Sequence, residues 1–160
     1  MADAPSPRGS LVDAVHRAGL WIAYRLLLAA WFVFRPRRRG VFVAVWHDGR
    51  ILLIRNSYRA GVTLPAGGLW RGETPEDAAL RELQEEVGLT ASPDALRFAR
   101  EIPSRFEYKR DRCSFFELRL AAPIEPLVDR REVIWAAFVP RDDALRAPLV
   151  PPVRVYLEEC

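Results

Sequence analysis

Glu82, Glu85 and Glu86 place three carboxylates within five residues of a 160-residue chain. Residues spaced i, i+3 and i+4 share one face of a helix, where like charges repel by roughly 0.2–0.5 kcal/mol per i,i+4 pair. A hard divalent cation reverses that sign. Mg²⁺ takes oxygen ligands in octahedral geometry and keeps several waters, which suits a few carboxylates plus substrate phosphates. The competing reading of the triplet alone is a solvated acidic face on an ordinary surface helix. The surrounding residues separate the two. Gly67 is followed after five residues by Glu73, and after seven more by Arg81-Glu82-Leu83-Gln84-Glu85-Glu86-Val87-Gly88-Leu89. Seven fixed residues at background usage match by chance at on the order of one in 10⁸–10⁹ starting positions.

The element that must present these carboxylates is a helix over residues 75–87. Thr74 is a good N-cap, Pro75 suits the first helical position and Gly88 is a natural stop. Ala79, Leu80, Leu83 and Val87 form the stripe expected to face the core.

The stretch from Gly67 to Leu89 resembles the Nudix box, Gly-x5-Glu-x7-Arg-Glu-U-x-Glu-Glu-x-Gly-U with U aliphatic. Leu83 and Leu89 fill both U positions. The chain is therefore similar to MutT-like Nudix hydrolases, over roughly residues 40–145. The resemblance implies divalent-metal-dependent hydrolysis, with Mg²⁺ or Mn²⁺ as cofactor, of a nucleoside diphosphate linked to another moiety. It implies metal ligands at Glu82, Glu85 and Glu86, and a backbone carbonyl ligand at Ala66, just before Gly67. The family more often carries Pro-Gly-Gly there. Glu82 is the preferred general base within the box, with Glu85 as catalytic partner. Arg81 would orient a ligand carboxylate through a bidentate bond, and Glu73 has a mainly structural place. Glu132, before a strand ending at Phe138-Val139-Pro140, is a further candidate ligand or base. Its alternative is a solvated residue beside Arg130 and Arg131. A non-catalytic, nucleotide-sensing Nudix module is the second reading of the chain, but such relatives usually lose box residues and this chain has lost none.

Bases and riboses stack on aromatic rings and Arg planes. Arg55, Arg59, Tyr58 and Phe106 are the substrate-binding candidates, with Arg105, Tyr108, Trp135 and Phe138 also available. Arg55-Asn56-Ser57-Tyr58-Arg59 resembles an Arg-Gln-Tyr-Arg stretch of ADP-ribose pyrophosphatases, and Pro103 lies near a proline of that subfamily. ADP-ribose-like or nucleotide-sugar substrates therefore stand slightly ahead of (deoxy)nucleoside triphosphates.

Around the helix, the β-branched run 41–46 and the run 51–54 flank His47-Asp48-Gly49-Arg50, a hairpin signal in which His47 is a turn residue. Residues 96–102, 112–120 and 133–139 read as strands, and 141–146 and 153–159 as short helices. Strands alternating with a central helix predict an α/β fold with a mixed sheet. The Nudix resemblance sharpens this to an α/β/α sandwich over residues 40–160.

The remaining residues carry an uneven charge. The formal net charge is +3, yet residues 1–40 hold seven Arg against two Asp, leaving 17 basic and 19 acidic residues beyond. No basic nucleic-acid face is expected on the domain, and the partner is a small nucleotide. Residues 1–10 read as a disordered tail. Residues 11–39 read as an apolar and basic helical extension. A membrane span needs about 20 apolar residues. Here the run from Ala18 to Phe34 is 17 residues long and includes Arg25. A signal peptide wants its basic cluster before the apolar run, not after it. An amphipathic helix remains, packed on the domain, pairing two subunits, or lying on anionic lipid. Cys113 and Cys160 offer neither a disulfide framework nor a zinc spacing, which fits a cytoplasmic, or membrane-peripheral, protein.

Overall fold

A computed structural model describes residues 11–160; the tail expected at residues 1–10 lies outside the described residues. Helix α1 runs Leu11–Phe34 and leads directly into strand β1, Arg37–His47. The basic run Arg37–Arg39 therefore belongs to a strand rather than to the helical extension: Pro36 lacks a backbone N–H and cannot continue a helix. The hairpin forms as read. β1 turns through Asp48 (φ 46°) and Gly49 (φ 70°) into β2, Arg50–Asn56. The short strand β3, Ala66–Gly68, pairs with β1. Then come α2 (Pro75–Val87), β4 (Leu96–Ser104), β5 (Arg110–Arg119), β6 (Val133–Pro140), α3 (Arg141–Arg146) and α4 (Pro151–Glu158).

The sheet order is β4-β5-β1-β2-β6, with β3 beside β1. β1 and β5 run parallel, and the other pairs are antiparallel, so the sheet is mixed as expected. Two apolar layers flank it. On one face Val41, Val43, Val45, Leu52 and Ile54 pack with Ala78, Ala79, Leu83 and Val87 of α2. On the other, Phe42, Ala44, Ile51, Leu53 and Phe115 pack with Ala144, Val153, Tyr156 and Leu157 of α3 and α4. The period-two alternation along β1 and β2 divides the two layers.

Helix α2 carries the caps that its sequence announces. The Thr74 side chain accepts from the Asp77 N–H, and Gly88 ends the helix in the left-handed region at φ 67°. The buried stripe differs in detail. Leu80 is only half-buried, and Ala78 takes the core position instead. Glu82 and Glu86 are themselves buried beside that stripe, so the acidic face is not uniformly solvated.

Candidate active site

Strand β3 brings Gly67 against Glu82 so closely that a Cβ on Gly67 would lie 1.8 Å from Glu82 Oε1. The box thus closes on itself, with the Glu82 carboxylate in the space that a side chain on Gly67 would take. Arg81 is the hub of what surrounds it. Its Nε donates to Glu73 Oε1 at 2.8 Å and its Nη2 to Glu73 Oε2 at 3.0 Å, a bidentate pair. Its Nη1 donates to Glu82 Oε1 at 2.6 Å and to Glu85 Oε2 at 3.1 Å, and its Nη2 to the Gly68 carbonyl at 3.0 Å. The guanidinium also stacks on Trp70, 4.1 Å from the ring centroid. Glu73 in turn accepts the Trp70 N–H at 2.8 Å. One arginine therefore ties the glycine turn to two of the three box carboxylates.

Glu86 lies deeper. It accepts the Ala66 N–H at 2.8 Å and the Asn56 side-chain amide at 3.3 Å. The Ala66 contact is thus through the N–H of the residue whose carbonyl the family resemblance names. Burial, then the charges of Glu82 and Glu132, push the Glu86 carboxyl up to about 8 against the bonds from Ala66 and Asn56. Burial raises Glu82 too, opposed by its bonds to Arg81.

A cavity of about 380 Å³ opens on this cluster. Glu82, Glu85, Glu132, Ala66 and Gly67 line it together with Tyr58, Arg59 and Phe106. The structure therefore gathers most of the residues singled out in the sequence. Glu132 joins them through a 3.1 Å bond from the Tyr58 hydroxyl. Arg55 is not brought in. It is exposed on β2 opposite Trp135 of β6, whereas Asn56 shares the α2-facing side of the strand with Leu52 and Ile54. Trp135 and Phe138 also stay outside the cavity lining, and Arg105 and Tyr108 line a neighbouring cavity. His47 sits at the hairpin and bonds the Leu120 carbonyl at 3.1 Å.

Several lining residues carried no local signal. Glu107 pairs with Arg59 at 2.8 Å and with Lys109 at 3.2 Å, and accepts the Tyr24 hydroxyl of α1 at 2.5 Å. It sits in a 3₁₀ turn, Phe106–Tyr108, where Glu107 (φ 56°) and Tyr108 (φ 63°) both occupy the left-handed region. Non-glycine residues held there cost roughly 1–3 kcal/mol each, a strain the surrounding contacts must hold. Trp31 of α1 covers Lys109, whose Nζ is 4.0 Å from the ring centroid, and it lines the same cavity. These pieces come from distant parts of the chain, and no local pattern joins them.

The donor set can be tested against a metal. It consists of oxygen atoms only, it is acidic, and it surrounds a backbone turn that leaves no room for a side chain. That composition fits Mg²⁺ or Mn²⁺ rather than a softer ion. Among the described residues, no group of three or more His, Cys, Asp or Glu side chains already converges to hold one. Arg81 engages Glu82 and Glu85, and Ala66 and Asn56 engage Glu86.

The NUDIX domain family model matches residues 36–160. The chain belongs to the Nudix family. It is 45% identical over 53 residues to the ADP-ribose pyrophosphatase of Bacillus subtilis (strain 168), covering 31% of this chain and 29% of that protein. It is 37% identical over 87 residues to the RNA pyrophosphohydrolase of Xanthomonas campestris pv. campestris (strain B100), covering 49% of this chain and 40% of that one. The matches thus span well under half the length of these curated relatives. Among solved structures, the NUDIX domain of Shewanella oneidensis NrtR complexed with ADP ribose superposes with a TM-score of 0.68 at 17% identity, covering 79% of this chain and 88% of that one. The MutT protein of Methanosarcina mazei Go1 superposes with a TM-score of 0.67 at 21% identity, covering 79% and 94%. At these identities the likeness shows the Nudix fold.

Proposed function

We propose that this Nudix protein hydrolyses the pyrophosphate bond of a nucleoside diphosphate linked to a second group, with ADP-ribose-like compounds ahead of nucleoside triphosphates. The observation that carries the proposal is one cavity with two unlike walls. Box carboxylates and Glu132 form one, and Tyr58, Arg59 and Phe106 form the other. The first wall suits a metal and a phosphate chain, and the second a flat base or ribose. The Bacillus relative, named an ADP-ribose pyrophosphatase, supports the order of substrates.

Glu82, Glu85 and Glu132 are the side chains that would hold the cation, with Glu86 behind them. A divalent cation supplies charge neutralisation at the phosphoryl oxygens and lowers the pKa of a water. The protein's own groups do the rest. Arg81 fixes Glu82 and Glu85 against the Gly67 turn, so that they are in place before substrate arrives. Glu82, whose affinity for a proton is raised by burial, accepts the proton of the attacking water. Arg59, clamped by Glu107 and close to the rings of Tyr24, Tyr58 and Phe106, presents a fixed cation to a phosphate or a base.

The test is turnover with Mg²⁺ or Mn²⁺ on ADP-ribose, nucleotide sugars, dinucleoside polyphosphates, (d)NTPs and an RNA substrate. Glu85→Gln should reduce kcat by roughly 10²-fold or more, since a metal ligand and its charge are lost. Failure to turn over any substrate, with nucleotide still bound, would replace the hydrolase reading by the sensing one.

A further inference from the structure

Helix α1 has two faces with opposite fates. Asp13, Arg17, Leu20, Tyr24, Leu28 and Trp31 turn toward the domain and are at most half exposed. They are tied there: Asp13 to Arg131 at 3.0 Å, Arg17 to the Arg130 carbonyl at 3.3 Å, Tyr24 to Glu107, Trp31 to Lys109. The other face consists of Val12, Val15, Gly19, Ile22, Leu26, Ala29 and Val33, at alternating spacings of three and four, and every one is exposed. Leu26 is 68% exposed and Val33 71%. No charged residue interrupts this stripe. A helix of 24 residues is about 36 Å long, so the stripe is a long apolar ridge that no described residue covers.

The ridge ends at a concentration of positive charge. Arg35 follows the helix, and Arg37 and Arg39 of β1 lie in register with Arg110 and Arg112 of β5. Arg37, Arg39, Arg110 and Arg112 line one open cavity together with Arg105. Arg112 has Glu101 as a partner at 3.2 Å, and among the described residues Asp111 is the only acidic one lining that cavity. Phe34 is three residues from Arg37, so ridge and cluster are separated by at most about 11 Å of chain.

We propose that α1 and this arginine cluster together form a docking surface for an anionic lipid bilayer, with the helix lying in the interface plane. Charge complementarity selects the occupant. A second copy packed with its helix parallel would bring six further arginines against the first set and repel it, and an antiparallel copy would leave both sets unmatched, whereas anionic headgroups attract all of them. By length and mean hydropathy alone the helix would also suit a membrane span, Arg25 in its apolar run notwithstanding. Its contacts to Glu107, Arg131 and Lys109 instead hold one side on the domain and leave the other for the acyl boundary. This inference is independent of the catalytic reading.

The experiment is co-sedimentation of the full chain with vesicles of phosphatidylcholine alone and of phosphatidylcholine mixed with phosphatidylglycerol, alongside sedimentation velocity without lipid. The chain should bind the anionic vesicles, and bind them less as salt is raised. Arg37→Gln with Arg110→Gln should weaken binding by roughly tenfold or more. Ile22→Glu with Leu26→Glu should abolish it; both residues are exposed, so folding, checked by near-UV circular dichroism, should be kept. Equal binding to both vesicle types, or binding indifferent to the Ile22/Leu26 pair, overturns the proposal. A lipid-free dimer that the Ile22/Leu26 pair dissociates, with no vesicle binding, overturns it in favour of a second copy.

Discussion

Gly67 shows how much a single residue can hold. Its missing Cβ is the space that Glu82 occupies, 1.8 Å from where that atom would be. Gly67→Ala need not disturb the core, because the atom in the way is the far end of a flexible side chain. Glu82 would instead swing out of the turn, and its bond to Arg81 at 2.6 Å would be lost or redrawn. The expected outcome is a melting temperature close to the parent's with kcat lower by roughly 10–100-fold, as for other losses of support around a metal site. Steady-state kinetics and a thermal melt on the same sample separate the two. A large loss of stability with unchanged kcat per folded molecule would show that Gly67 serves the fold and not the site.

At the scale of elements, legibility follows sequence distance. Helix α2 has its cap, its proline, its stop and its carboxylates within residues 74–88, and it forms where its sequence places it. Its stop makes a direct test. Gly88 sits at φ 67°, and a Cβ there would lie 3.0 Å from Leu127 Cβ. Gly88→Ala should cost about 1–2 kcal/mol from the left-handed backbone alone. In a chain of this size that lowers the melting temperature by about 2–8 °C. Gly88→Asn, a residue that tolerates this conformation, should lose less, and equal losses would point to the Leu127 contact instead. The second wall of the cleft is legible only in part: Tyr58, Arg59 and Phe106 are among the sequence's binding candidates, while Glu107, Lys109 and Trp31 are not. Tyr58, Arg59, Glu107, Lys109 and Trp31 meet only because β1 runs parallel to β5, pairing residues 37–46 with 110–119. Glu107 depends on a strained turn that no residue type announces. Arg55, three residues before Tyr58 in a promising stretch, falls with Ile51 and Leu53 on the side of β2 away from α2, so strand alternation keeps it from the box carboxylates while Asn56 reaches Glu86.

For the whole molecule, the buried carboxylates couple folding, protons and metal. Glu86 holds its proton up to about 8, and an unfolded chain releases it near 4.5. Between those values the unfolded state binds fewer protons than the folded one, so this group makes stability fall as pH rises. Glu82 is raised for the same first reason, burial, and acts in the same direction. Below the unfolded value both states are protonated and the penalty vanishes. A divalent cation binds the ionised carboxylates and releases their protons, removing the penalty where it is largest. The metal-free protein should therefore lose melting temperature between about pH 5 and about pH 8, and the increment on adding magnesium should grow over the same window. Glu86→Gln should flatten the metal-free pH dependence, because its amide has no charge to bury. It should also shrink the magnesium increment at the upper end. Scanning calorimetry across that pH range, with magnesium or with a chelator, measures both. A magnesium increment that stays constant with pH would mean that the carboxylates are ionised before the metal arrives, and the coupling drawn from their burial would not hold.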